Sequence, residues 1–184
     1  MAKVYEFLAN GFEEVEALAP VDILRRGGVE VKMVSITGSN LVESSHGVVV
    51  KADLLFENIT DFSDADLLML PGGMPGSKNL NEHEGVRKAL KEQFEKGKRV
   101  AAICAAPTVL ASLGILKGKN AVCFPACEDD LLKGKAILKK DRAVVDGNII
   151  TSRSAGTAMD FSLAIISELL GKEVAGKISK EIVL

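Results

Sequence analysis

The sequence predicts an α/β fold in which a mostly parallel sheet is covered by helices on both faces. Strand-like apolar runs alternate with segments whose apolar residues recur at helical spacing, which is the pattern of βαβ units. Two of the runs, "DLLMLPGG" and "RVAAIC", are apolar throughout, as expected for strands buried on both faces. No repeat or linker divides the chain, so we expect residues 1–184 to form one domain.

In the first half of the chain, the strand "KVYEFLA" is followed by a helix that starts near Glu13 and ends at a glycine pair. Pro20 is expected to kink this helix or to end its first turn, because proline has no amide donor. The segment "VEVKMVSI" predicts a second strand. The valine-rich pieces up to Val50 suggest hairpin strands that add an edge to the sheet.

In the second half, "DLLMLPGG" predicts a buried strand and "EGVRKALKEQFEKG" an amphipathic helix capped by Gly97. The strand "RVAAIC" then leads into the helix "PTVLASLG". The pieces "NAVCF", "KAIL" and "RAVVDGNIITS" predict short strands, with a hairpin signal at Asp146 and Gly147. Two helices, "AGTAMDFSLAIISELLG" and "KEVAGKISKEI", follow.

Composition and charge exclude several classes of protein. Hydrophobic residues make up 47% of the chain and charged residues 26%, which favours a folded core over disorder. The net charge is -2 without a basic stripe, so we expect no nucleic-acid partner. The longest apolar region, residues 100–116, is too short for a membrane span, and the amino terminus does not resemble a signal peptide. We therefore expect a cytoplasmic protein without a membrane partner.

Cys104 is the candidate functional residue, because it ends a buried strand and Pro107 suits the first position of the next helix. Small residues two positions to either side, Ala102 and Ala106, would allow the tight turn of a nucleophile elbow. A thiol at a helix start faces free amides that favour its anion and lower its pKa. The alternative is a small core residue, since free cysteine is often buried.

Two neighbouring loops favour the functional interpretation of Cys104. Gly72 and Gly73 follow the preceding parallel strand and could bring backbone amides close to the elbow as oxyanion donors, although they could equally form a plain turn. Glu13, Glu14 and Glu16 crowd the turn after the first strand, and one of them could share a proton with the thiol. Acidic residues at a helix start are also common without catalysis.

The other cysteines and the histidines give weaker signals. Cys123 is expected in the core, and Cys127 is expected in a turn away from any helix start, as a bystander thiol. His46 and His83 lie in polar contexts that are typical of solvated side chains. Three cysteines and two histidines give no zinc-ligand spacing, so we expect no metal and no cofactor.

The chain resembles the ThiJ/PfpI family, in the branch that contains the Parkinson disease protein deglycase and bacterial chaperone-like relatives. The resemblance covers essentially the whole chain. It rests on "GFEEVEALAPVDILRRGG", "LPGG", "AAICAAP" and "TSRSAGTAMDF" in this order. It implies a flavodoxin-like, doubly wound sheet sandwiched by helices, as in class I glutamine amidotransferases, and a homodimer with a reactive cysteine.

The resemblance also implies roles for individual residues. Cys104 would be the nucleophile, and Glu16 would be a protonated carboxyl that donates to it and moves its proton. The oxyanion amides would come from Gly73 and Ala105, and the loop Ser154, Ala155 and Gly156 would line the site. Glu13 and Arg26 would support the dimer or the pocket.

One position departs from the pattern of some relatives, which place a histidine near the thiol where this chain has Phe124. The bacterial chaperone-like relatives also lack that histidine. Its absence counts against a cysteine peptidase or amidohydrolase, which need a Cys-His pair. His46 is implied to lie near the pocket of the partner subunit and could compensate.

Two functions follow as hypotheses. In the first, Cys104 adds to a small aldehyde or a glycated substrate, as a cofactor-independent glyoxalase or deglycase that protects against oxidative stress. In the second, oxidation of Cys104 to a sulfinate makes the protein a redox-sensing chaperone. A peptidase or amidohydrolase is the least favoured class.

Overall fold

The computed structural model describes residues 1–184. Its strands are β1 Lys3–Leu8, β2 Glu30–Ser35, β3 Leu41–Glu43, β4 Val49–Lys51, β5 Leu54–Leu55, β6 Leu67–Leu70, β7 Arg99–Ile103, β8 Asn120–Ala121, β9 Ile137–Leu138, β10 Ala143–Asp146 and β11 Ile149–Ser152. Its α-helices are α1 Glu14–Arg26, α2 Gly76–Glu82, α3 Glu84–Glu95, α4 Pro107–Ser112, α5 Glu128–Lys133, α6 Ala158–Leu170 and α7 Lys172–Glu181.

A seven-stranded sheet forms the centre of the molecule, in the order β10-β11-β7-β6-β1-β2-β5. All neighbouring strands are parallel except β10 and β11, which form the hairpin predicted at Asp146 and Gly147. Apart from the short edge strand β5, the parallel strands follow the order 2-1-3-4-5 of flavodoxin-like folds. The predicted fold class is therefore confirmed.

Two helix layers enclose this sheet. Side chains of α1, α6 and α7 join one buried cluster, whereas those of α2 to α5 join the other. Side chains along β1 point alternately to the two faces of the sheet, so Val4 and Leu8 belong to the first cluster and Tyr5 and Phe7 to the second. Each large apolar side chain buried in this way stabilises the fold by roughly 1.5–3 kcal/mol.

Several elements differ from the sequence-based expectation. Helix α1 continues through Pro20 instead of ending there, because its inner face, which includes Pro20, is buried against the sheet layer. Strands β3 and β4 form a separate two-stranded sheet and do not extend the main one, whose edge is β5. Strands β8 and β9 likewise pair only with each other. Helices α2 and α5 occupy segments in which no helix was predicted.

The carboxyl edge of the sheet gathers the loops that the sequence analysis selected. Strands β1, β6, β7 and β11 are parallel, so the segments that follow them meet at one edge.

No helix of the structure combines the length and the apolar character that crossing a membrane requires.

Candidate active site

Cys104 forms a tight, strained turn between β7 and α4. Its φ is 65°, a left-handed conformation that costs a non-glycine residue roughly 1–2 kcal/mol. Two backbone hydrogen bonds hold it there: its amide donates to Ser152 O at 3.0 Å, and its carbonyl accepts from the Phe124 amide at 2.8 Å. Pro107 is the first residue of α4, and Ala106 is fully buried. The tight strand-to-helix turn predicted from the sequence is therefore present.

Glu16 is the acidic residue that the fold brings to this turn. It lies in the first turn of α1 and is only 1% exposed, and its Oε2 has no hydrogen-bond partner. Gly72 lies between the two groups: a Cβ at this position would overlap Glu16 Oε2 and come within 2.6 Å of Cys104 Cβ. The loop after β6 therefore has to carry glycine here so that carboxyl and thiol can approach each other.

Burial raises the pKa of Glu16 to about 7. Hydrogen bonding to the Cys104 thiol opposes this increase, the nearby charge of Glu13 adds to it, and the amides of Gly72 and Ala155 lower it. A carboxyl with this pKa exchanges its proton readily at neutral pH, which is the property required of a general acid or base.

The pKa of the Cys104 thiol corrects one sequence-based expectation. Burial raises it, and the charge and hydrogen bond of Glu16 raise it further, whereas the amides of Ala105 and Gly73 lower it. The expected decrease at the helix start does not prevail, because α4 is a short helix and the sulfur is half-buried beside a carboxyl. The pKa values of Cys104 and Glu16 therefore depend on each other.

The glycine loop after β6 packs closely against the Cys104 turn and the start of α1. Gly73 has a φ of 88°, and a Cβ there would overlap the backbone of Glu13, so only glycine fits. The amide of Glu13 donates to Gly72 O at 3.0 Å, which ties this loop to the start of α1. The amides of Gly73 and Ala105 lower the pKa of the Cys104 thiol, and their role as oxyanion donors stays a prediction.

Residues 154–156 form the wall next to Glu16. Ser154 is the N-cap of a 3-10 turn, and a reciprocal capping box links it to Thr157. The buried Ser152 Oγ lies 2.7 Å from Thr157 Oγ1 and thereby fixes the loop to β11. Ser152 and Thr157 were not selected from the sequence, which carries no capping-box signature with Glu or Gln at this position.

The remaining acids at the start of α1 have structural partners. Glu13 Oε2 accepts from the Glu16 amide at 2.7 Å as the helix N-cap, and Glu14 Oε2 lies 3.0 Å from His46 Nδ1. The bond to Glu14 raises the pKa of His46. Donor atoms of Glu13, Glu14 and His46 lie within 4.8 Å of one another, but these contacts already engage them. Arg26 pairs with Asp22 of the same helix.

Neither histidine hydrogen-bonds to Cys104, so the structure provides no Cys-His pair. His83 is not a solvated side chain: it caps α3 by accepting from the Val86 amide at 3.1 Å, and its ring packs against Phe56. Phe124, at the position of the histidine in some relatives, is 42% exposed. Cys104 lines none of the surface cavities, and its side chain is partly buried.

The other two cysteines lie on the opposite side of the sheet. Cys123 is buried in the core, as predicted. Cys127, however, is the N-cap of α5, so the prediction that it lies away from any helix start was wrong. Burial nevertheless raises its pKa, and Asp130 in the first turn of α5 adds to this effect.

Known proteins are similar to this one over almost the whole chain. A family model described as the DJ-1/PfpI family matches residues 2–168. Protein DJ-1 homolog B of Arabidopsis thaliana is 40% identical over 183 residues, which are 99% of this chain and 41% of that longer relative. The Parkinson disease protein 7 homolog of Danio rerio is 37% identical over 178 residues, 96% of this chain and 94% of the relative.

Two further comparisons concern chemistry and fold. A protein of Pyrococcus horikoshii that is named a deglycase is 38% identical over 152 residues, 82% of this chain and 89% of its own length. The structure of oxidised DJ-1 from Toxoplasma gondii matches with a TM-score of 0.94 at 35% identity, covering 100% of this chain and 98% of the other. The resemblance predicted from the sequence is confirmed.

Proposed function

Since this chain belongs to the DJ-1/PfpI family, we propose that it is a cysteine-dependent enzyme acting on methylglyoxal-type aldehydes or early glycation adducts. The observation that carries the proposal is the buried carboxyl of Glu16, which meets the strained turn of Cys104 across Gly72. The deglycase name of the Pyrococcus horikoshii relative supports the same class of reaction.

The first chemical step follows from the pairing of thiol and carboxyl. Glu16 accepts the thiol proton while Cys104 Sγ attacks the aldehyde carbon, so that a C–S bond forms and the carbonyl π bond breaks. The resulting oxyanion accepts hydrogen bonds from the amides of Gly73 and Ala105. Glu16 then returns its proton to this oxygen and leaves a neutral hemithioacetal. No step of this sequence requires a cofactor.

The test is consumption of methylglyoxal by the purified protein. Wild type should consume the aldehyde, and Cys104→Ser should lose this activity because a serine hydroxyl is a far weaker nucleophile at neutral pH. Cys127→Ser is the matched control, since it alters a thiol on the other face of the sheet. Equal rates for wild type and Cys104→Ser would refute the proposal.

The active species is proposed to be a homodimer. Val15 on α1 is 46% exposed, and Val48 and Val49 of the β3–β4 hairpin are 44% and 57% exposed. The contact between Glu14 and His46 joins these two elements into one surface. Such a group of exposed valines suits contact with a second copy of the chain, which would bring its His46 towards the Cys104 site of the first.

A redox-sensing chaperone is the second candidate, and the unpartnered Oε2 of Glu16 favours it. Peroxide would oxidise Cys104 to a sulfenic acid and a second equivalent would give the sulfinate, with one water released at each step. Protonated Glu16 could then donate a hydrogen bond to a sulfinate oxygen. Mass spectrometry after mild peroxide treatment should find Cys104 modified before Cys127. Oxidation of Cys127 alone would exclude this role.

A further inference from the structure

A cavity of about 270 Å³ lies between α3 and residues 56–62, on the sheet face opposite to α1. None of the residues assigned to the Cys104 site lines it. Its volume is close to the lower limit of about 300 Å³ for small-molecule pockets, so it suits a compact ligand.

Aromatic rings form the wall of this cavity. The centroids of Phe56 and Phe62 lie 5.6 Å apart, and both rings pack against Phe7 of β1 behind them. Gly85 makes this arrangement possible, because a Cβ there would come within 2.6 Å of the Phe56 ring. Ile59 and Ala89 add half-buried apolar surface. A planar aromatic ligand would therefore find ring edges and faces to pack against.

One buried polar side chain reaches the same cavity. Gln93 is 3% exposed, and its Nε2 donates to Ala65 O at 3.3 Å and Arg99 O at 3.4 Å. These bonds commit the donor end of the amide to the protein, and no protein group donates to Oε1. Because Oε1 has no donor in the protein and is not fully buried, it keeps some accessible surface, and Gln93 is one of the residues that line the cavity. An acceptor in this position selects a ligand with an N–H or O–H donor.

The charges at the rim cancel. Lys88 and Lys96 are balanced by Asp61 and Glu92, and Lys88 lies 3.8 Å from Glu92. The rim therefore gives no net attraction to an anion or a cation, which favours an uncharged ligand.

We infer that this cavity is a second binding site, for a small neutral aromatic molecule that carries one hydrogen-bond donor. The rings of Phe56 and Phe62 contact the ligand face, and Gln93 Oε1 accepts its donor. The inference is independent of the chemistry proposed for Cys104, because the two sites share no residue.

The test is an NMR titration of the isotope-labelled full chain with indole, which has a bicyclic ring and one N–H. Backbone amides of Phe62, Ala89 and Gln93 should shift saturably, with a dissociation constant of about 0.1 to 1 mM for so small a ligand. Ala89→Phe should abolish these shifts by filling the cavity. Ala175→Phe, which changes a half-buried helical alanine of α7 on the other sheet face, should preserve them.

Benzofuran separates the role of Gln93 from that of the rings, because it matches indole in shape but has oxygen in place of the N–H. It should bind at least threefold more weakly than indole, and equal affinity would overturn the role of Gln93. Absence of saturable shifts with indole, or shifts that persist in Ala89→Phe, would overturn the site itself. If Ala89→Phe does not fold, as judged by its spectrum, Ala89→Leu provides the smaller filling, and indole should bind it at least threefold more weakly than wild type.

Discussion

Three glutamates within four positions at the start of α1 have three different tasks in the structure. Glu13 caps the helix, Glu14 pairs with His46, and Glu16 is buried beside Cys104. The turn at Cys104 could be predicted from its neighbours in the sequence, because Pro107 favours the first position of a helix and the small Ala102 and Ala106 leave room for a tight turn. The choice among the three acids could not follow from the residues alone, since it depends on which side of α1 faces the loop after β6.

Glu16→Gln tests the proton transfer at the residue scale. Burial places the pKa of Glu16 at about 7, so the aldehyde-consuming activity of wild type should rise as the pH passes this value and the carboxylate becomes available as a base. Glutamine cannot accept the proton, and we expect a loss of about 10²-fold or more together with loss of this inflection. Steady-state rates between pH 5 and 9 provide the measurement. If Glu16→Gln kept the wild-type inflection in the pH profile, the inflection would come from the titration of another group and not from Glu16.

Glu6 is a second buried carboxyl, with no role at the candidate site. It is fully buried on β1, on the sheet face that carries Val4 and Leu8, and neither of its oxygens has a hydrogen-bond partner. Burial raises its pKa well above the ordinary value; the positive charge of Arg25 lowers it and the negative charge of Asp53 raises it. Folding therefore favours the protonated form of this carboxyl, whereas the unfolded chain leaves it free to ionise.

Glu6→Met should stabilise the protein, and more so as the pH rises. A carboxyl whose pKa is raised by folding loses stability above its unfolded value near 4.5, by about 1.4 kcal/mol for each pH unit up to its folded pKa. Methionine matches the flanking Met33 and Met69 and removes this cost. Urea unfolding at pH 5, 6 and 7 should show a growing advantage over wild type. Glu173→Met on exposed α7 should show none, and a constant difference across pH would contradict this account.

At the scale of elements, long periodic segments were predictable, and short ones were predictable mainly where a proline or a turn pair marked them, as at α4 and the β10–β11 hairpin. Helices α1, α3 and α6 have clear apolar faces, and the structure confirms them. Helix α5 has only six residues, too few for its period to be recognised, and its omission led to the wrong assignment of Cys127. The hairpin β3–β4 was recognised, but its place outside the main sheet depends on contacts with the loop after β1, such as that between Gly11 and Glu43.

The cap of α3 gives a prediction at this scale. His83 Nδ1 accepts from the Val86 amide, and the ring packs edge-on against Phe56 at 4.7 Å. His83→Ala removes both contacts and should lower the free energy of unfolding by about 1 kcal/mol or more, whereas His83→Asn restores a capping oxygen and should recover part of this loss. Chemical denaturation of the two variants separates the contributions. Equal losses would attribute the effect to ring packing alone.

For the whole molecule, the alternation of strands and helices predicted the fold class, but it did not determine which strands are neighbours. The order of the sheet places the ends of β1, β6 and β7 side by side, and this brings together Glu16, Gly72 and Cys104, which are far apart in the sequence. Their convergence is a property of the complete sheet. The sequence patterns of single strands and helices could not predict that these residues meet. They could only predict a site at the carboxyl ends of the parallel strands, by the general rule that ligands bind there.

The proposed homodimer makes a prediction for the assembly. Val49 is 57% exposed on the β3–β4 hairpin, and an aspartate there would place a charge in the contact between the two copies. We expect Val49→Asp to raise the dissociation constant of the dimer at least tenfold in sedimentation experiments. Leu132→Asp, at a similarly exposed position on α5, should sediment like wild type. A wild-type chain that sediments as a monomer would rule out the assembly.

The two outer strands of the sheet differ from its centre in a way that affects behaviour in concentrated solution. One edge strand is β5, which has only two residues. The other is β10, and the side chain of its last residue, Asp146, accepts hydrogen bonds from Asn120 and Lys119. Neither edge strand offers a long row of free backbone amides and carbonyls to another chain. The native sheet therefore does not readily add strands from other molecules. Storage at high protein concentration should produce few fibrils unless the protein first unfolds in part.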